Sequence, residues 1–187
     1  MPRYCAFFGS INVGGNRLTM AELRAAFAAE GFENVETVVA SGNVLFDFPE
    51  RPTPGLEEKL GLMMAEKFQM RSMVAVRDRA EVAAAIADNP FNGVGEDKLV
   101  HTMFLERQAD RDQFNVLVAD HADCGPEKLA LGDRALYIEF CTREDGGGVA
   151  ESKLTGPYIE RRLGCKGTAR NMRSLARILA KMDESKD

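Results

Sequence analysis

Two features of the sequence predict an α+β protein made of two similar halves. The first 80 residues read strand, helix, strand, strand, helix, strand, and from Leu99 onward much of that order begins again. The order β-α-β-β-α-β is the split β-α-β, or ferredoxin-like, arrangement. The expected architecture is therefore two packed ferredoxin-like subdomains with a C-terminal amphipathic helix, residues 1–90 and 91–187, with strands exchanged between the halves as an open variant.

The first strand, Arg3 to Phe8, places Tyr4, Ala6 and Phe8 on one face and Cys5 and Phe7 on the other. Both faces are apolar, as in a central strand covered on two sides. Thr19-Met20-Ala21-Glu22 has the spacing of a capping box, and Met20, Leu23 and Phe27 follow at helical intervals until Gly31. Val35–Ala40 and Val44–Phe48 read as strands joined by a hairpin turn at Ser41-Gly42-Asn43. A proline-rich connector precedes a helix whose apolar stripe is Leu56, Leu60, Met63, Met64 and Phe68, and Met73–Val76 is the fourth strand. Asp78 caps a further helix, which Asn89-Pro90-Phe91-Asn92-Gly93 ends.

In the second half, Leu99–Leu105, Lys128–Leu131 and Ala135–Phe140 read as strands, the last two about a Gly132-Asp133 turn. Phe114, Leu117 and Val118 mark a helix. A short helix runs to Leu163 and is stopped by Gly164. The last helix is expected to start near Thr168. Met172, Leu175, Leu179 and Met182 lie on one of its faces, and Arg170, Arg173, Arg177 and Lys181 on the opposite one.

The totals exclude several classes. At 45% hydrophobic and 28% charged residues the composition is that of an ordinary globular protein. No apolar run approaches the roughly 18 residues that a membrane span needs. The N-terminus lacks the long apolar core and small-residue cleavage site of a signal peptide. The four cysteines, Cys5, Cys124, Cys141 and Cys165, are scattered without a Cys-x-x-Cys pair, which reads as reduced and intracellular. The expected location is the cytoplasm. The net charge of −5 is uneven, since Ser152 to Lys181 holds eight basic residues against one acid, Glu160. Such a skew marks an interaction surface or a basic face docked on an acidic one.

Two stretches offer places for a ligand. Ser10-Ile11-Asn12-Val13-Gly14-Gly15-Asn16 joins an apolar strand to a capped helix, and its residue types favour turns that tolerate positive φ. From Gly9 the glycine spacing matches a P-loop, but Gly15 and Asn16 stand where Lys and Ser/Thr are required. The loop is thus a tight structural turn or a ligand-lining loop, not a nucleotide triphosphatase cradle. The second stretch is Thr168-Ala169-Arg170-Asn171. If it opens a helix, Arg170 opposes the helix dipole and requires a negative partner, either an internal carboxylate or a bound anion.

The candidate ligand-binding residues are Ser10, Asn12, Gly14, Gly15, Ser41, Asn43, Lys153, Thr168, Arg170 and Asn171. No catalytic constellation is recognised, and no cofactor is expected. His101 and His121 alone do not make a zinc site, and His101 within an apolar strand reads as a satisfied core histidine. Glu139 reads as a surface or paired acid. The first functional reading is a binding protein for a small anionic or polar ligand. The alternative is nucleic-acid binding through the basic C-terminal helix, against which stand the acidic balance and the missing RNP pattern.

Ile11-Asn12-Val13-Gly14-Gly15, Ser41-Gly42-Asn43-Val44-Leu45-Phe46, Asn89-Pro90-Phe91, Ser152-Lys153 and Thr168-Ala169-Arg170-Asn171 together make the chain similar to the domain of unknown function 1697 family, a group of uncharacterised bacterial proteins. The resemblance implies two ferredoxin-like subdomains and implies no activity. Two positions depart from the family pattern. Gly9-Ser10 stands where Arg-Gly is usual, and Met172 stands where Trp is usual.

Overall fold

A computed structural model describes residues 1–11, 18–39, 42–141 and 148–184. The chain divides into two compact units, Met1–Val82 with Arg177–Asp187, and Ala83–Ala176.

In the first unit the elements are β1 (Arg3–Phe8), α1 (Met20–Ala29), β2 (Glu33–Thr37), β3 (Asn43–Asp47), α2 (Thr53–Phe68) and β4 (Val74–Asp78). The four strands form one antiparallel sheet in the order β2-β3-β1-β4. The expected capping box closes both ways: Thr19 Oγ1 accepts the Glu22 amide at 3.2 Å, and Glu22 Oε2 accepts the Thr19 amide at 2.9 Å. Gly31 follows that helix at φ +81°, where an L side chain is strained. Tyr4, Ala6 and Phe8 of β1 meet Leu23 and Phe27 of α1 and Leu60 and Met64 of α2 in the core. Phe27, Phe32 and Phe46 pack ring against ring, with centroids 4.9–5.6 Å apart in tilted or edge-on geometry. Cys5, Phe7, Leu45 and Ala75, on the other face of the same sheet, are buried too. The sheet is covered on both sides, as the apolar character of Arg3–Phe8 requires.

After β4 the chain continues into α3 (Arg79–Ala87). Asp78 caps it as expected, and reciprocally. Its Oδ1 accepts the Glu81 amide at 2.8 Å, while Glu81 Oε2 accepts the Asp78 amide at 2.9 Å.

The second unit holds β5 (Val100–Leu105), α4 (Arg111–Ala122), β6 (Lys128–Gly132), β7 (Ala135–Glu139), α5 (Gly156–Leu163) and β8 (Gly167–Asn171). Its sheet is antiparallel in the order β6-β7-β5-β8, so corresponding strands take corresponding places in the two sheets. Asn89 explains the break after α3. It is buried, its Nδ2 donates to the His101 carbonyl at 3.2 Å and to Thr102 Oγ1 at 3.3 Å, and its Oδ1 accepts the Phe91 amide at 3.0 Å. Asn89-Pro90-Phe91 is thereby a clamp of the turn onto β5. Gly164 ends α5 at φ +63°, as its position implies.

The C-terminal helix α6 (Met172–Asp183) starts later than the sequence reading placed it. Residues 168–171 are not its first turn but part of strand β8, paired with β5 through Phe104↔Thr168, Met103↔Ala169, Thr102↔Arg170 and His101↔Asn171. Without this strand, the N–H and C=O groups along that side of β5 would have no ladder, a cost that outweighs a weak local preference. Gly167 permits the approach, because a Cβ there would stand 2.7 Å from Met103 Cε and 2.9 Å from Leu105 Cδ2. The apolar stripe of α6 is Met172, Leu175, Ile178 and Met182, with Ile178 buried where Leu179 was expected and Leu179 only half-buried.

Candidate functional site

The first candidate lies at one end of the first sheet. Beyond β1 the Gly9 amide donates to the Met73 carbonyl at 2.9 Å, and the Phe8 amide donates to the Gly42 carbonyl at 2.7 Å. These two bonds place the start of the glycine-rich loop between the strand that Met73 leads into and the β2–β3 hairpin tip. The tip is closed by Asn43. Its backbone carbonyl accepts the Val38 amide at 3.0 Å, and its buried side chain donates back to the Val38 carbonyl at 3.2 Å. Ser10 is exposed at φ +46°, while Ile11 beside it is buried in the core. Val39 sits at φ +69° and Gly42 at φ +111°. A β-branched residue in the left-handed region is held there only by its surroundings.

Ser10 and Asn43, far apart in sequence, are thus brought to one end of the sheet. Asn12, Gly14, Gly15 and Ser41 lie outside the described residues.

The second candidate changes character. In β8, Thr168 is buried, and Arg170 Nη1 donates to Thr168 Oγ1 and to the Ala169 carbonyl, each at 2.8 Å. Asn171 ends β8 directly before α6, its Oδ1 accepting the Ser174 amide at 2.9 Å. The expectation that Arg170 opposes the dipole from within the first helical turn therefore falls. The residue is strand, its side chain folded back on its own strand. Arg77 repeats this geometry in the first unit. It precedes the cap of α3 as Arg170 precedes that of α6, and its Nη1 donates to the Val76 carbonyl at 2.8 Å. Arg77 is buried, and the same nitrogen donates to Glu57 Oε1 of α2 at 2.8 Å. Lys153 is exposed in the segment before α5, and its carbonyl accepts the Thr155 amide.

A third grouping escaped the sequence reading. His121 is buried near the end of α4, its Nε2 2.9 Å from Glu127 Oε2, with both side chains 3% exposed. Burial pushes the Glu127 carboxyl up. Hydrogen bonds from the Ser152 hydroxyl, its own backbone amide and His121 outweigh that and hold it below the usual range. The Tyr158 ring of α5 stands edge-on to His121 at 6.2 Å, and the Arg162 guanidinium lies 3.6 Å from the Tyr158 centroid while donating to Asp120 of α4. The signal was available: His121 follows Phe114 and Leu117 at i+7 and i+4, on the buried face of its helix.

His101 is half-buried, edge-on to Phe140, with Nε2 3.1 Å from the Lys98 carbonyl. Burial lowers its pKa, opposed by that carbonyl. Glu139 is paired, its Oε2 accepting from Lys128 Nζ at 2.8 Å across β6 and β7. Among the described residues no group of three or more His, Cys, Asp or Glu is placed to hold a metal ion. Two surface clefts, of about 310 and 370 Å³, are lined by residues other than the ligand candidates.

The geometry defines a mixed α+β protein with two four-stranded antiparallel sheets and six helices among the described residues. No described helix is long and apolar enough to cross a membrane. The chain belongs to the family described as Protein of unknown function (DUF1697), which matches residues 1–137. Its fold is similar to that of the conserved bacterial protein SP0830 from Streptococcus pneumoniae. The TM-score is 0.71 at 24% identity, over 97% of this chain and 99% of that one. No curated protein matches the chain.

Proposed function

We propose that this is a bacterial cytoplasmic protein of two ferredoxin-like subdomains, residues 1–90 and 91–187, that binds a small anionic or polar ligand. The ligand site is the loop Ser10–Asn16 with the hairpin tip Ser41–Asn43. The observation that supports this reading is the Phe8–Gly42 hydrogen bond, which joins Phe8, just before the first Gly- and Asn-rich stretch of the sequence, to Gly42 of the second. Positive φ at Ser10 and Val39 adds support, because strained backbone gathers at ligand sites. The strand orders β2-β3-β1-β4 and β6-β7-β5-β8 support the ferredoxin-like assignment. The ligand reading rests on Ser10–Asn16 and Ser41–Asn43 alone; Arg170 donates to Thr168 Oγ1 and to the Ala169 carbonyl, and Asn171 accepts the Ser174 amide of the next helix.

Nucleic acid fits less well. Residues on both faces of β1 and of β5 are buried, leaving these central strands no open surface on which bases stack.

The test is a thermal-shift series with inorganic phosphate, a nucleoside monophosphate and a small dicarboxylate. A ligand at about 100 times its Kd adds about 2.7 kcal/mol to stability, which such a melt resolves. The melting temperature is expected to rise with at least one of the three, Asn12→Ala to abolish the rise, and Arg170→Met to leave it intact. No shift with any of them, or a shift lost with Arg170→Met and kept with Asn12→Ala, overturns the proposal.

A further inference from the structure

We draw no further inference here: the strongest candidate, the buried side-chain cluster of His121, Glu127 and Ser152 where α4 and α5 pack, has both His121 and Glu127 side chains 3% exposed, and nothing in the structure shows a route by which a ligand would reach them.

Discussion

The Phe8 amide donates to the Gly42 carbonyl at 2.7 Å, and that bond fastens the end of β1 to the residue just before β3. Gly42 meets it at φ +111°, a conformation that L side chains rarely adopt. Gly42→Val is expected to cost about 1–3 kcal/mol, read from the midpoint of chemical denaturation. Gly55→Ala serves as the opposite control. Gly55 lies inside α2 with open space where a Cβ would stand, so this change should add about 0.5–1 kcal/mol. Equal midpoints for Gly42→Val and the unaltered protein would show that ordinary φ suffices at the tip.

Asn89 spends both ends of its amide on the junction between α3 and β5. Asn89→Ala removes those bonds in a buried setting and should destabilise by about 1–3 kcal/mol. Asn89→Asp puts a carboxylate oxygen against the His101 carbonyl and should cost more than Asn89→Ala. Urea denaturation of the two variants gives the order, and the reverse order would mean that the side chain is not held as described.

Arg77 and Glu57 form a pair with side chains 4% and 12% exposed. Arg77→Met leaves the Glu57 carboxylate without this partner and should cost about 3–5 kcal/mol. Glu57→Met added to it should recover only part of that loss, since it removes the unpaired carboxylate but also the acceptor of the Val76 amide, which donates to Glu57 Oε1 at 2.9 Å. A double-mutant cycle measures the coupling. Additive losses would show that the two side chains contribute independently.

The depressed pKa of His101 links stability to pH, with a definite sign. Its folded value lies below the ordinary value of about 6.5, so the unfolded chain binds more protons between the two. The contribution is complete above about pH 6.5 and is lost progressively as pH falls from there toward the folded value. Melting temperatures between pH 7.5 and 5.5 should fall less steeply for His101→Gln than for the unaltered protein. Parallel curves would remove His101 as a source of that dependence.

Much of the architecture is legible in the sequence because its signals are local. The Thr19/Glu22 box and the Asp78 cap act within one helical turn, so residue identity alone predicts them. The apolar residues on both faces of Arg3–Phe8 require cover on both sides wherever that cover comes from. The motifs spread along the chain likewise suffice to place it in its family.

What the sequence did not decide is where a segment's partners lie far away in the chain. Gly167-Thr168-Ala169-Arg170-Asn171 has no strand alternation strong enough to compete with the amphipathic helix behind it. It becomes β8 because β5 offers it a ladder of backbone partners. Glu127 has no helical periodicity to reveal it, and its role exists only once α4 brings His121 to its carboxylate and the segment before α5 brings Ser152. The basic stripe of α6 is divided in the same way. Lys181 reaches Glu36 at 3.2 Å while Arg173 and Arg177 stay exposed. Helical spacing puts all three on one face, but only the fold decides which of them meets a carboxylate, since an ion pair requires proximity that no local pattern encodes.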